Sequence, residues 1–148
     1  GREYDVAGLN VRAIGQCHPG GSYGYRFTQG GRTLVYATDS EHKQNAVPLL
    51  DDVVKFFSGA DLLIFDAQYT HAEAIDVKEN WGHSSNLMAV ELAVRAGVRR
   101  LCLFHHEHTY GDDMLEQFLK ETRQYLKIYD QTSSLRVEMA YDGLDIRI

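Results

Sequence analysis

The chain of 148 residues has the length of one ordinary domain, and its hydrophobic fraction of 44% is sufficient for a globular core. Its formal net charge of −6 argues against broad, non-specific nucleic-acid binding, which needs a basic surface. No apolar run reaches membrane-spanning length, and Cys17 and Cys102 lack the spacing of a zinc knuckle, so we expect a reduced, cytoplasmic protein.

The first part of the chain has the alternation and the turn signals of antiparallel strands. A short strand is predicted at residues 11–14, followed by the turn-rich segment 18–21. Residues 23–28 and 33–38 are predicted to form a hairpin around the glycine pair in segment 29–32. The second strand of this hairpin ends at Asp39.

The remainder predicts helix, strand, helix, strand, helix and a final hairpin, with one loop of residues 67–82 after the first of these strands. The predicted segments, in chain order, are 50–57, 61–66, 84–96, 99–104, 112–129, 137–140 and 144–148. Ser84 or Ser85 can cap the second helix, and Thr122 is the one weak position on the apolar stripe of the third. This order indicates a single α/β unit.

Metal-capable and acid–base residues fall at the ends of these strands. Asp39, Asp66 and His105 each end a predicted strand, His18 follows one closely, and His83 precedes a helix. Each has an ordinary alternative role as a turn, cap or loop residue. As a set they predict a site at the carboxyl ends of the strands, with ligands that suit zinc, manganese or iron.

A second histidine group follows directly after His105. The run His106-Glu107-His108 has the form of a short metal-binding motif, but no aspartate–histidine pair follows at the necessary spacing. We therefore expect His106 and His108 to be loop residues or residues that support the site.

The set of segments resembles the metallo-β-lactamase-fold hydrolases. The three segments that carry this resemblance are HPGGSYGYR (18–26), LVYATD (34–39) and LCLFHH (101–106). Two more segments, DLLIFDAQY (61–69) and WGHSS (81–85), resemble the paired motifs of the phosphodiesterase branch, which includes the tRNA 3′-processing endonucleases.

The resemblance implies a metal-dependent hydrolase, in which two divalent ions, most often zinc, activate water for attack on a phosphodiester. It implies that His18 binds one metal, Asp39 bridges the two and His105 binds the other. It further implies that His83 contacts the phosphate or protonates the leaving group while Asp66 orients it. In the same resemblance, Ser84 shares the substrate-binding role with His83.

The superfamily's main signature, His-x-His-x-Asp-His, is absent from residues 1–148 and would lie upstream. We therefore expect the chain to be the C-terminal half of a four-layer αββα fold, a mixed sheet with helices on one face. Alone, this half would be inactive, with an incomplete site that holds metal weakly or stands empty. It would also expose an apolar sheet face, which the missing N-terminal half or a dimer partner must cover.

Two other functions stay open beside phosphodiester hydrolysis. The chain could be a non-catalytic half-domain that serves oligomerisation or regulation, or the same fold could hydrolyse a thioester or a lactone. The WGHSS segment favours a phosphodiester substrate, by analogy with the branch that it resembles.

Overall fold

The computed structural model describes residues 3–43, 48–76 and 80–148. They contain a single sheet of seven strands and four helices. The strands are β1 (Glu3–Val6), β2 (Leu9–Gln16), β3 (Ser22–Gln29), β4 (Arg32–Ala37), β5 (Leu62–Asp66), β6 (Arg100–Phe104) and β7 (Arg136–Met139). The helices are α1 (Leu50–Phe57), α2 (His71–Asp76), α3 (Asn86–Arg95) and α4 (Asp112–Tyr129).

The sheet is mixed, and its strands lie in chain order from β1 to β7. Strands β1 to β4 pair antiparallel, whereas β4 to β7 pair parallel. The predicted hairpin of β3 and β4 is confirmed, and Gly30 and Gly31 at its turn have φ angles of 57° and 77°. Such positive angles at both turn positions match the twist of the flanking strands and favour glycine.

The helices pack on one face of the sheet, as expected. Helix α3 contacts α1, α4 and both β5 and β6, which is the arrangement that right-handed crossovers produce. The core between the layers is fully buried, and its central residues are Val35, Leu63, Phe65, Leu92, Leu101, Leu103 and Phe118. Thr122 of α4 is also fully buried; its hydroxyl accepts a hydrogen bond from Asn86 and donates one to the Phe118 carbonyl.

The other face of the sheet is apolar and uncovered, and we call it the open face. Strand pairing places Tyr25 beside Tyr36 on this face, and the Tyr36 ring lies 6.1 Å from that of Phe104. Its large exposed side chains are Tyr4, Val6, Tyr23, Tyr25 and Phe104. The expectation of an exposed apolar sheet face therefore holds for the described residues.

One predicted strand is absent, and two elements of the structure were not predicted. Residues 144–148 do not form a strand, so the predicted final hairpin is a single strand, β7, followed by a turn in which Leu144 donates to the Tyr141 carbonyl. The alternation of Leu144, Ile146 and Ile148 is present, but the segment does not pair with the outer edge of β7. Strand β1 and helix α2 were missed, and residues 77–79 of the predicted loop lie outside the described residues.

Cys17 and Cys102 are both free thiols. None of the described helices combines the length and the apolar character needed to cross a bilayer.

Candidate functional site

The predicted metal ligands meet at the carboxyl ends of the parallel strands. His105 Nε2 lies 3.5 Å from Asp39 Oδ1. Ligand atoms of His18, Asp39 and His83 all lie within 4.8 Å of one another. The ring centroid of His83 lies 5.4 Å from that of His18 and 4.9 Å from that of His105. The fold therefore brings four of the predicted site residues into one cluster.

The donor set fits a zinc ion. Zinc binds imidazole nitrogen and carboxylate oxygen at about 2.0–2.2 Å, which separates two tetrahedral ligand atoms by about 3.4 Å. The 3.5 Å between His105 Nε2 and Asp39 Oδ1 matches that separation. A ligand atom of Asp39 also lies within 4.8 Å of one of His18, so the carboxylate is near both histidines.

Both Asp39 and His105 have left-handed backbone conformations, with φ angles of 58° and 60°. This conformation costs a non-glycine residue about 1–2 kcal/mol, although aspartate and histidine tolerate it better than most residues do. The Asp39 side chain is oriented by a hydrogen bond of 2.8 Å from Thr38 Oγ1 to its Oδ2. Strain of this kind concentrates at functional positions, where the surrounding structure holds it in place.

The His18 loop and the His83 loop touch at Gly82. A Cβ atom at Gly82 would lie 2.5 Å from His18 Cδ2 and 2.6 Å from Pro19 Cδ, and its φ angle is 88°. Glycine is required there because a side chain would clash with His18 and Pro19 and because the backbone is left-handed. The Gly20 amide donates to His18 Nδ1 over 3.1 Å, so a metal bound at Nε2 would require the ring to change tautomer and give up this bond.

Asp66 is completely buried and joins three segments of the site. Its Oδ1 accepts the backbone amides of Gln68 at 3.2 Å and Ser84 at 3.4 Å. Its Oδ2 accepts the Ser40 amide at 3.2 Å and lies 2.8 Å from His83 Nδ1. Because an ionised carboxylate only accepts hydrogen bonds, Nδ1 of His83 must carry a proton. The other ring nitrogen, Nε2, is then the one available to the cluster.

The environment of His83 favours its protonated form. Burial lowers the pKa of this imidazole, but the hydrogen bond and the charge of Asp66 outweigh it, with smaller contributions from Asp39 and Glu41, and the pKa is raised. A histidine held in this way by a carboxylate can donate and accept protons near neutral pH.

Ser84 lies beside His83, but its hydroxyl already has a partner. The side chain is buried, and Oγ donates to the Ser40 carbonyl over 2.5 Å. Its substrate-binding role stays a prediction, while the contacts seen here fix the loop that carries His83.

Two residues that sequence reasoning missed lie next to the cluster. Tyr69 is buried with its ring 6.1 Å from that of His83, and burial, followed by the charges of Glu107, Asp66 and Glu73, raises its pKa to about 12. His42 stacks on the core residue Phe65 at 5.2 Å. Only their nearness in the sequence to Asp66 and Asp39 could have drawn attention to them.

The second histidine group lies outside this cluster. His106 is partly buried, and burial lowers its pKa against the opposing effect of a hydrogen bond with the Ala140 backbone. The His108 side chain is 89% exposed, with Nδ1 2.5 Å from Glu107 Oε1. Among the described residues, neither histidine belongs to the group of possible ligands, and both lie in the loop after β6.

Comparison with known proteins identifies the family. The sequence model of the beta-lactamase superfamily domain matches residues 3–106. The chain belongs to the metallo-β-lactamase superfamily. Its fold, a mixed sheet with helices on one face, is also that of its structural relatives in this superfamily.

The relatives by sequence include several ribonucleases Z. The protein from Brevibacillus brevis is 32% identical over 117 residues, which make up 74% of this chain and 34% of that protein. The protein from Picrophilus torridus is 35% identical over 82 residues, 55% of this chain and 24% of that one. The chain therefore spans about a third or less of the length of these curated relatives.

Two solved structures are similar over nearly the whole chain. The metallo-β-lactamase fold protein YhfI of Bacillus subtilis matches with a TM-score of 0.73 and 26% identity, covering 97% of this chain and 51% of that one. The short form of human tRNase Z matches with a TM-score of 0.67 and 26% identity, covering 98% and 45%.

Proposed function

We propose that the chain is the C-terminal half of a metal-dependent hydrolase that cleaves phosphodiester bonds, with RNA as the substrate class. The observation that carries this proposal is the His83–Asp66 pair, held against the cluster of His18, Asp39 and His105. A metal site alone would suit many hydrolases, whereas a carboxylate-held histidine beside it adds an acid that can protonate an alkoxide leaving group. The similarity to ribonucleases Z supports the choice of RNA.

The residues of the cluster divide the work of metal binding as the resemblance implies. We assign His18 to one ion, Asp39 to a bridging position and His105 to the other ion, with zinc the first candidate and manganese or iron as alternatives. Two bound ions would supply a water of lowered pKa and would neutralise the charge that develops on the phosphate oxygens.

His83 is assigned the proton transfer. Asp66 holds its Nδ1 over 2.8 Å, so the ring keeps one orientation and its Nε2 is the atom that exchanges a proton with substrate. Because Asp66 raises the pKa of His83 against the effect of burial, the ring carries a proton at neutral pH more often than a free imidazole does. Ser40, Gln68 and Ser84 position Asp66 through their amides.

The missing ligands are proposed to come from a second half of the domain. The chain covers only 51% of YhfI and 45% of human tRNase Z, and its open face exposes Tyr4, Val6 and Tyr23 by 52%, 58% and 63%. An upstream half that carries His-x-His-x-Asp-His would cover this face and add ligands and a water-activating aspartate.

The test uses a longer chain that contains this upstream half, loaded with zinc or manganese and assayed on bis-p-nitrophenyl phosphate and on RNA. We expect His83→Ala to lower kcat by about a hundredfold or more at unchanged metal content. Asp39→Ala should lose metal and activity together. The exposed His71 of α2 offers a matched control, since His71→Ala also removes an imidazole but one outside the group of possible ligands.

Failure would take one of two forms. A longer chain that stays metal-free and inert on both substrates would refute the enzymatic proposal. Hydrolysis of a thioester or a lactone with no action on phosphodiesters would keep the metal site and refute the substrate class.

The open face favours a second candidate function, a non-catalytic half-domain that pairs through this surface. It predicts a stable dimer whose mass by light scattering is the same with and without a chelator. Tyr25→Lys would place a charge on the open face and should separate the dimer, whereas it would leave a monomer unchanged in mass.

A further inference from the structure

Arginines are concentrated at the end of the sheet opposite the candidate site. A groove at the amino ends of the parallel strands is lined by Arg32, Arg99, Arg100, Arg136 and Arg147. Arg32 begins β4, Arg100 begins β6 and Arg136 begins β7. The cluster of His18, Asp39 and His105 lies at the carboxyl ends of the same strands, so the two features are separated by the length of the sheet.

The positive charge continues from this groove along α4. Arg136 also lines a second groove with Arg123 and Lys127, and those two residues line a third groove with Lys120. We call this surface the basic tract, and it consists of Arg32, Arg99, Arg100, Arg136, Arg147, Arg123, Lys127 and Lys120. These eight are more than half of the 15 lysines and arginines in a chain whose net charge is −6.

Four carboxylates line the same three grooves, and they neutralise only part of the tract. Two of them are bound to arginines: Asp61 lies 2.9 Å from Arg99 and 3.4 Å from Arg32, and Glu138 binds Arg100 through both oxygens. The other two are Asp130 and Glu116. The tract therefore keeps an excess of positive charge.

Several cations of the tract have no carboxylate partner. Within residues 3–43, 48–76 and 80–148, no ion pair involves Arg136, Arg147, Lys120, Lys127 or Arg123, although Arg123 donates to the Val137 carbonyl. The pairing of β6 with β7 places Arg136 directly beside Arg100. Because Glu138 already pairs with Arg100, Arg136 is the member of this pair that keeps its charge for an external anion.

We infer that the basic tract binds the phosphate backbone of RNA; the choice of RNA as the polyanion rests on the proposed function. The shape of the tract favours an extended anion over a single phosphate. From Lys120 to Lys127 the helix rises about 10 Å, and the three strand spacings from β7 to β4 add about 14 Å. Guanidinium groups bind phosphate oxygens with two parallel hydrogen bonds, which suits a surface made mainly of arginines.

Helix α4 connects the tract with the candidate site. It begins at Asp112, shortly after the loop that follows His105, and ends at Tyr129, so it spans about 27 Å along the sheet. A bound RNA would thus be held at a distance from the bond to be cleaved, through contacts that carry no sequence information.

The experiment measures binding of a fluorescein-labelled single-stranded RNA by anisotropy, in EDTA so that no cleavage occurs, over a series of salt concentrations. The test variant is Lys120→Gln/Lys127→Gln/Arg136→Gln, whose three side chains are exposed. The control is Lys55→Gln/Arg95→Gln, which removes exposed charges on α1 and α3 away from the tract. Circular dichroism checks that both variants keep the fold.

We expect the test variant to bind at least several-fold more weakly at low salt. The slope of log K against log salt should fall by about 0.7 for each phosphate that the variant no longer neutralises, hence by about 2 for the three substitutions. The control should keep the slope of the unmodified protein. An unchanged slope in the test variant, or an equally reduced slope in the control, would overturn the inference. Displacement of the RNA by poly-glutamate as effectively as by unlabelled RNA would also overturn it, in favour of an acidic protein partner.

A failure of the RNA-binding inference can be distinguished from a failure of the proposed function. In the longer chain, the test variant should hydrolyse bis-p-nitrophenyl phosphate at the unmodified rate while cleaving RNA with a raised KM. If no variant hydrolyses either substrate, the proposed function fails, and the anisotropy series still decides whether the tract binds RNA. If RNA cleavage keeps its KM in the test variant, the inference fails while the proposed function stands.

Discussion

The buried imidazole of His42 should make the protein sensitive to acid. His42 lies in the loop after β4, with its ring stacked on Phe65 at 5.2 Å, and its Nε2 is buried without a hydrogen-bond partner among the described residues. Burial lowers the pKa of this imidazole from 6.5 to about 4. The change to be made is His42→Phe, which keeps an aromatic ring against Phe65 and removes the titrating group.

The direction and size of the change in stability follow from the lowered pKa of His42. Because the folded pKa lies below the unfolded one, the unfolded chain takes up a proton first, and stability falls as the pH drops from about 6.5 towards about 4. Each pKa unit corresponds to about 1.4 kcal/mol, so the loss attributable to His42 at pH 4 is about 3 kcal/mol. Above about pH 6.5 the group should contribute no pH dependence.

The assay is urea unfolding followed by circular dichroism at a series of pH values across this window. We expect the free energy of unfolding of the unmodified protein to fall more steeply than that of His42→Phe, and the difference to grow to about 3 kcal/mol. His71→Phe serves as the control, since this residue is exposed on α2 and remains in water when the protein folds. Parallel curves for the unmodified protein and His42→Phe would show that the imidazole is not buried in solution.

Three further substitutions test the site and the base of the sheet. Asp66→Asn replaces an acceptor that faces backbone amides, so it should cost about 2–3 kcal/mol in urea unfolding and lower the pKa of His83 in an NMR titration of the metal-free protein. An unchanged His83 titration would contradict the assigned hydrogen bond. His105→Gly should be about 1 kcal/mol more stable than His105→Ala, because φ is 60° there, and equal stability would show that the backbone is unstrained. Asp61→Ala should cost about 2 kcal/mol at neutral pH and progressively less as the pH falls through the lowered pKa of Asp61, which the Thr33 amide and Arg99 depress. A cost that persists in acid would contradict the depressed pKa.

The sequence patterns predicted those strands and helices whose form is determined by their own residues. The glycine pair at 30 and 31 is sufficient to define the β3–β4 hairpin, because its geometry is fixed by the turn itself. Ser85 was one of two candidate caps, and its side chain accepts the Met88 amide at the start of α3. The strand predicted at residues 144–148 is absent, because an alternating pattern alone does not ensure that a segment pairs with the strand beside it.

Thr122 was the weak position on the apolar stripe of α4, and the structure explains why it is tolerated. The threonine faces Asn86 of α3, and the two polar groups satisfy one another in the core. A sequence pattern reports the period of a helix but not the chemistry of the helix opposite, so this pairing could not be foreseen.

The sequence predicted which candidate site residues lie close together, but not all of their surroundings. Strand ends placed Asp39, Asp66 and His105 correctly at one edge of the sheet, and the pairing of Asp66 with His83, implied by the resemblance, is present as a 2.8 Å contact. The environments of His42 and Tyr69 could not be predicted, because both depend on contacts with residues distant in the chain.

The order of the strands has a consequence for how the chain is made. Every described strand pairs only with the strands before and after it in the chain, so each new strand meets an edge that already exists. Pairing of this kind closes short loops first, which favours rapid and stepwise folding. The sheet can therefore grow vectorially as the polypeptide leaves the ribosome, from β1 to β7. The ends of β4 and β6 that precede Asp39 and His105 are then brought together before the arginine-rich edge at β7 is added.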